Sequence, residues 1–140
     1  MNKLKIYSDG GARGNPGPAG IGAIIYDVDD NIVAEISEYI GETTNNQAEY
    51  KACLAGIKKA VELGAREVDF FLDSELVVKQ LNREYKVKNK DLAPLFVKIY
   101  NETLKFKKVT FTHVRREFNK EADSLANKAM DENKLKFIKR

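Results

Sequence analysis

Four carboxylate side chains in this sequence could take part in chemistry together, because each lies at the end of a predicted strand or in an early turn of a predicted helix. Asp9 and Asp73 each end a short apolar stretch, whereas Glu49 and Asp123 follow helix-start signals. Carboxylates that lie close together cannot all stay ionised without a cation, because like charges raise one another's pKa values. Such clusters suit Mg²⁺ and Mn²⁺, which prefer oxygen ligands. Two such ions about 3.5–4 Å apart can activate a water and stabilise the leaving oxygen in phosphodiester cleavage.

The composition argues against other catalytic centres. His113 is the only histidine and Cys53 the only cysteine among the 140 residues, so neither a zinc cluster nor a Ser-His-Asp triad is supported. His113 is in phase with apolar residues of a predicted strand, and we interpret it as structural. A single cysteine cannot form an internal disulfide, which indicates a reducing compartment. The net charge of +3 is compatible with a polyanionic partner.

Apolar alternation and turn signals predict the elements that would position the four acids. The predicted strands are Lys3–Asp9, Gly20–Tyr26, Ile32–Ile40, Glu67–Asp73 and Lys108–Val114. A polar turn at residues 29–31 makes the second and third strands an antiparallel hairpin. The predicted helices run from the cap Thr44 to Leu63, over 76–81, from the cap Asp91 to Phe106, and onward from the cap Asn119. The basic tail Lys134–Arg140 is expected to fray at its end.

The first predicted helix has two further features. Thr44 and Gln47 have the form of a capping box, and Gly64 provides a stop after the last turn. Glu49 shares its helical face with small residues only, which are Ala52, Cys53, Gly56 and Ala60. This side of the helix can therefore pack closely against a sheet.

Each acid also has a purely structural interpretation. Asp9 could cap a turn, and Asp73 could cap the helix that follows it. Glu49 and Asp123 could be solvated acids that interact favourably with a helix macrodipole. The element order, however, indicates an α/β layer fold in which a mixed sheet is flanked by helices. The carboxyl ends of parallel strands share one edge of such a sheet, so the four acids can meet there.

Five motifs span nearly the whole chain. They are Tyr7–Gly11, Gly14–Pro18, Thr43–Glu49, Asp73–Ser74 and Asn119–Ala126. In residue type, order and spacing they resemble the type 1 ribonuclease H family. The resemblance implies one domain over residues 1–140 with a five-stranded mixed sheet, in which the first three strands are antiparallel and the last two parallel. It also implies endonucleolytic hydrolysis of the RNA strand of RNA–DNA hybrids with two Mg²⁺ or Mn²⁺ ions, leaving 5′-phosphate and 3′-hydroxyl ends.

The resemblance implies a role for individual residues. The catalytic, metal-binding acids would be Asp9, Glu49, Asp73 and Asp123, with Asp9 bridging both ions. The substrate-binding residues would be Gly10, Gly11, Arg13, Asn15, Thr44, Asn45, Asn46, Ser74 and Asn119. An amide can both donate to and accept from a 2′-hydroxyl, which suits the asparagines. Thr44 could contact a phosphate of the DNA strand as well as cap its helix, since a helix N-terminus is itself a phosphate site.

The chain departs from the best-known family pattern in two places. Many relatives carry a long basic handle with tryptophans where this chain has only Arg83–Lys90 and no tryptophan. Many also carry a histidine in the loop that here reads Arg115–Phe118. The short form resembles the branch found in archaea and some bacteria. Lys86, Lys88 and Lys90 are then either a reduced handle or solvated surface.

The sequence also limits the cellular context and the competing functions. No apolar run approaches the roughly 20 residues of a membrane span, and the N-terminus lacks the apolar core of a signal peptide. We therefore expect a cytoplasmic monomer whose partner is an RNA–DNA hybrid. The alternatives are a metal nuclease on the same fold that cuts duplex DNA and a non-catalytic hybrid-binding module. The Asn45–Asn46 pair argues against the first, and the four intact acids argue against the second.

Overall fold

The computed structural model describes residues 2–138, with side chains to residue 136. The described residues form β1 (Lys3–Ala12), β2 (Gly17–Tyr26), β3 (Ile32–Thr43), α1 (Asn45–Glu62), β4 (Glu67–Leu72), α2 (Glu75–Leu81), α3 (Ala93–Thr103), β5 (Lys108–His113) and α4 (Lys120–Ile138). A short 3-10 turn, Arg116–Phe118, precedes α4. Every predicted strand and helix is present. The end of the basic tail, which we expected to fray, lies outside the described residues.

The five strands form one mixed sheet in the order β3-β2-β1-β4-β5. β2 pairs antiparallel with both β1 and β3, whereas β4 pairs parallel with both β1 and β5. The predicted fold class is therefore confirmed. The last register pair between β1 and β4 joins Ser8 to Leu72. Because Asp9 and Asp73 directly follow this pair, they lie side by side at the same edge of the sheet.

Helix α1 covers one face of the sheet and forms the core with it. Ile6, Tyr50, Ile57 and Phe70 are fully buried there. The small face predicted for α1 permits a close approach, because a Cβ added at Gly56 would lie 2.8 Å from the Phe70 ring. Burial of such apolar side chains contributes roughly 1.5–3 kcal/mol each. The core thus holds α1 tightly against β1 and β2.

Helix α4 packs on the opposite face, over β2. The contact is close because β2 contributes backbone rather than side chains. A Cβ added at Gly20 would lie 2.6 Å from the carbonyl oxygen of Ala126, and one added at Gly22 would lie 2.6 Å from the Ala126 nitrogen. Ala122, Ala126 and the two glycines thereby bring the first turns of α4 to the edge where β1 ends.

Three details differ from the prediction. Helix α3 begins at Ala93 and ends at Thr103, rather than running from an Asp91 cap to Phe106. The reason is that Asn89 accepts hydrogen bonds from the Asp91 and Leu92 nitrogens (2.7 and 3.3 Å), which forms a turn before the helix. His113 is exposed rather than in the core, because β5 is the edge strand of the sheet. Strand β1 continues past Asp9 to Ala12, which pairs with Ala19 of β2.

Candidate active site

The structure brings the four predicted acids together at the carboxyl end of β1 and β4. Asp9, Glu49 and Asp73 each offer a carboxylate oxygen within 4.8 Å of the others. Asp123 comes from the first turn of α4 and lines the same cavity as Asp9 and Glu49. All four side chains are partly buried, so they are neither free surface acids nor closed off from a ligand. The alternative in which Asp73 caps α2 is wrong, because Ser74 is the cap residue and accepts from the Val77 nitrogen at 3.3 Å.

Gly10 explains how Glu49 reaches Asp9. A Cβ added at Gly10 would lie 2.7 Å from the Glu49 nitrogen, a separation that real Cβ atoms essentially never show. Only glycine lets α1 lie against the end of β1 at this distance. A Cβ at Gly11 would meet nothing closer than 3.9 Å, so the space beside Gly11 is open. Gly22 has the matching role under α4 and was not predicted, although a Gly-x-Gly pair inside an apolar strand is a signal of close packing.

The cluster disfavours ionised carboxylates. Burial raises the pKa of Asp9 to about 8, and the negative charges of the neighbouring Asp73, Glu49 and Asp123 add to the shift. Burial also raises the pKa of Glu49 to about 7, although a hydrogen bond with Ser74 and the charge of Arg116 act in the opposite direction. An all-oxygen donor set that resists ionisation in the absence of a cation fits a hard divalent ion, and the residues present therefore suit Mg²⁺ or Mn²⁺.

Asn119 directly precedes α4, as predicted, but its side chain has another role than capping the helix. It is fully buried, and its Nδ2 donates to the Ser8 carbonyl oxygen (2.9 Å) and to Oδ2 of Asp73 (3.1 Å). Its Oδ1 has no hydrogen-bond partner among the described residues, so it does not cap α4 through its side chain. Asn119 is therefore a link between β1 and the Asp73 carboxylate.

The predicted substrate residues of the Gly14–Pro18 loop and of the α1 N-terminus form one network. Asn45 Oδ1 accepts from the Ala12 nitrogen (2.8 Å), and the Asn45 nitrogen donates to Asn15 Oδ1 (3.1 Å). The Thr44 cap is confirmed, since its hydroxyl accepts from the Gln47 nitrogen at 3.2 Å. Asn46 is exposed on the first turn of α1. Asn45 is the member of this network that lines the cavity of the acids.

A cavity of about 360 Å³ connects this network with the acids. Asp9, Glu49, Asp123 and Asn45 line it, together with Arg13 and Arg116. Arg13 donates to Asn127 Oδ1 (3.2 Å) and pairs with Asp131 (2.7 Å), so it joins the β1–β2 loop to α4. Arg116 and Asn127 were not among the predicted site residues. A basic Arg115-Arg116 pair just before the last acid was the only available signal for Arg116.

Comparison with known proteins agrees with the fold. Residues 7–129 match the protein family described as "Reverse transcriptase-like". The chain is 45% identical over 130 residues to the bifunctional protein Rv2228c of Mycobacterium tuberculosis. The matched region covers 92% of this chain and 36% of that protein. The crystal structure of RNase H1 from Halobacterium salinarum superimposes on this chain with a TM-score of 0.91, and the two sequences are 40% identical. The superposition covers 94% of this chain and 99% of that chain.

A second similar structure contains nucleic acid. LC11-RNase H1 in complex with RNA/DNA hybrid is 44% identical, with a TM-score of 0.89 and coverage of 93% of this chain and 98% of that chain. The chain belongs to the ribonuclease H family. It spans 36% of the curated mycobacterial relatives and 65% of ribonuclease HI from H. salinarum. None of the helices within residues 2–138 is long and apolar enough to cross a membrane.

Proposed function

We propose that this chain is an endoribonuclease that hydrolyses the RNA strand of RNA–DNA hybrids with the help of two Mg²⁺ or Mn²⁺ ions. The observation that carries the proposal is the meeting of four carboxylates at one sheet edge, with oxygens of Asp9, Glu49 and Asp73 within 4.8 Å of one another. Asp123 joins them as a wall of the cavity that Asp9 and Glu49 also line. Family membership supports the same reaction.

The proposed roles follow from position. Asp9 lies between the other acids and is the proposed shared ligand of both ions, while Glu49, Asp73 and Asp123 complete the set. Bound divalent ions would lower the pKa of an attacking water and stabilise the leaving oxygen. Asn119 holds the Asp73 carboxylate, and Ser74 lies beside Glu49. Attack of the water on phosphorus with loss of the 3′ oxygen leaves 3′-hydroxyl and 5′-phosphate ends.

The proposed recognition of RNA rests on the amide network beside the acids. Amides read a 2′-hydroxyl because they can donate and accept, and the 2′-hydroxyl is the group that separates RNA from DNA. Asn46 is exposed and directly follows Asn45 in the chain. The Asn45 nitrogen donates a hydrogen bond to Asn15 Oδ1, so Asn15 lies beside the same pair of residues. The complex of LC11-RNase H1 with RNA/DNA hybrid supports this choice of substrate.

The test uses four substrates of one sequence: RNA–DNA hybrid, DNA duplex, RNA duplex and single-stranded RNA. We expect cleavage of the RNA strand of the hybrid with Mg²⁺, no cleavage with EDTA, and 5′-phosphate ends that a phosphatase removes. Cleavage of the DNA duplex at a similar rate would favour a DNA nuclease. Tight hybrid binding without any cleavage would favour a non-catalytic binding module.

We further propose that residues 1–140 act as one domain and as a monomer in the cytoplasm. The single cysteine, Cys53, is buried and free, which suits a reducing compartment. Light scattering coupled to size exclusion tests the oligomeric state. A mass near 15.8 kDa is the expected result, whereas twice that mass would contradict it.

A further inference from the structure

A second cavity, of about 250 Å³, lies on the sheet face that carries α4 but shares no lining residue with the acid cavity. Its walls are Tyr7 from β1, Tyr26 from β2, Phe118 from the turn before α4, and the carboxylates of Asp30 and Glu121. It is therefore built from three aromatic rings and two acids. The proposed nuclease reaction uses none of these side chains.

The aromatic rings are arranged as the walls of a cage. Tyr7 stacks on Phe71 at a centroid distance of 4.7 Å and an interplanar angle of 18°, which fixes its orientation. Tyr26 stands at 88° to Tyr7, with centroids 6.0 Å apart. Phe118 supplies the third ring and is 64% exposed, which is unusual for so large an apolar side chain. Aromatic faces carry negative potential and attract cations placed over them.

The cage has one carboxylate that no described cation neutralises. Glu121 forms no ion pair with any side chain that the structure describes, whereas Asp30 is neutralised by its ion pair with Lys5, which does not line the cavity. Burial raises the pKa of Tyr26, and the negative charges of Glu121, Glu35 and Asp30 raise it further. This potential opposes a phosphate or any other anion and favours a cation. The nucleic acid itself is therefore a poor candidate for this pocket.

We propose that the pocket formed by Tyr7, Tyr26, Phe118, Asp30 and Glu121 binds an organic ammonium ion. The rings would hold the alkylated cation by cation–π attraction, and Glu121 would supply the opposite charge. A small inorganic ion would make poor use of three rings, because it keeps its water shell. The shared chemistry is an alkylammonium group, which a free polyamine or the side chain of a lysine can present. The proposal does not depend on the proposed nuclease function.

The first experiment titrates the protein with choline and, as a neutral isostere, with 3,3-dimethylbutan-1-ol, in EDTA at constant ionic strength. NMR follows the ring signals of Tyr7, Tyr26 and Phe118. We expect saturable shifts of these three rings with choline and at least about tenfold weaker binding of the neutral alcohol. Equal binding of both compounds, or shifts that never saturate, would overturn the proposal.

Variants separate the cage from general surface charge. Glu121→Gln and Phe118→Ala change exposed side chains. Each is expected to weaken choline binding about fivefold. Glu132→Gln, at an exposed position further along α4, is the matched control and should leave binding unchanged. If Glu121→Gln binds choline as tightly as wild type, or if Glu132→Gln weakens it equally, the pocket is not the site.

Two further ligands distinguish the sources of the ammonium group. Spermidine represents a free polyamine, and Nα-acetyl-lysine methylamide represents a lysine of a protein. Tighter binding of spermidine would support the first source, and tighter binding of the lysine compound would support the second. Failure of both to shift the three rings would overturn the assignment to an alkylammonium ligand.

Discussion

The Nδ2 group of Asn119 donates a hydrogen bond to Oδ2 of Asp73 over 3.1 Å, and Asn119 is fully buried. A second bond, to the Ser8 carbonyl oxygen, ties the same amide to the end of β1. The buried amide therefore holds the Asp73 carboxylate in a fixed position relative to the strand that carries Asp9. Such supporting residues commonly determine how well an acid binds its metal.

We predict that Asn119→Ala lowers Mg²⁺ affinity or kcat by about 10–100-fold. It should also lower the free energy of unfolding by about 1–3 kcal/mol, because the Ser8 carbonyl loses a buried partner. Gln80→Ala is the matched control, since Gln80 is also buried and accepts a hydrogen bond from Tyr50 (2.5 Å). The control should lose stability but keep its metal affinity. Wild-type metal affinity and kcat in Asn119→Ala would show that the bond does not position Asp73.

The metal-free protein should lose stability as the pH rises. Burial and neighbouring acids raise the pKa of Asp9 to about 8 and that of Glu49 to about 7 in the folded state. A raised pKa means that the folded state favours the protonated acid, whereas the unfolded chain ionises from about pH 4 upward. The free energy of unfolding in EDTA should therefore fall between about pH 4 and about pH 8. Urea unfolding at several pH values measures this change.

Asp9→Asn should flatten this pH dependence and stabilise the metal-free protein at neutral pH. Asp91→Asn, which changes an exposed acid outside the cluster, is the control and should behave as wild type. Mg²⁺ should stabilise wild type more than Asp9→Asn. If the free energies of unfolding of Asp9→Asn and wild type fall in parallel as the pH rises, the raised pKa of Asp9 is not the cause of the pH dependence.

Alanine substitutions of the two asparagines at the start of α1 should differ in their effect on the free energy of unfolding. Asn46 is exposed, so Asn46→Ala should weaken hybrid cleavage with little effect on stability. Asn45→Ala should weaken cleavage and also lower the free energy of unfolding by about 1 kcal/mol, because Asn45 Oδ1 accepts from the Ala12 nitrogen. Hybrid cleavage rates and urea unfolding of both variants give the test. Unchanged cleavage by both variants would remove them from the substrate site.

The exposed Lys86, Lys88 and Lys90 test whether the short segment between α2 and α3 acts as a reduced handle. Each phosphate contact that is lost should reduce the slope of log K against log[salt] by about 0.9. The triple alanine variant should show a lower slope and a higher KM with little change in kcat, because these groups bind ground and transition states alike.

The control for this prediction is a triple alanine variant of three exposed lysines outside this segment, Lys58, Lys105 and Lys107. It removes the same charge but should keep the wild-type slope. Identical slopes in all three proteins would mean that the relevant basic groups lie elsewhere, with Arg115 and Arg116 the next to test.

Much of the site follows from sequence because strand ends are easy to locate. Asp9 and Asp73 close two apolar stretches, and parallel pairing of those strands brings them to one edge. The N-cap residue Thr44 likewise determines where α1 begins, and this places Glu49 in the first turns of the helix. These features are local, and local patterns predict them well.

The remaining features depend on partners that are distant in sequence. Asn119 looks like a helix cap until its contact with Asp73, 46 residues away, is known. Gly10 looks like a turn residue, although its function is to let the Glu49 backbone approach β1. Arg116 reaches the acids only because α4 packs on the glycines of β2. Packing of this kind has no signature at a single position.

Cleavage of a labelled RNA–DNA hybrid by Asp9→Asn, beside wild type in the same Mg²⁺ buffer, tests the central claim most directly. Circular dichroism and hybrid binding should be close to wild type, because the change removes metal-binding charge rather than core packing. The account predicts that cleavage falls to below about 1% of the wild-type rate, since the shared metal ligand is lost. A folded Asp9→Asn protein that cuts the RNA strand at a rate near wild type would contradict it.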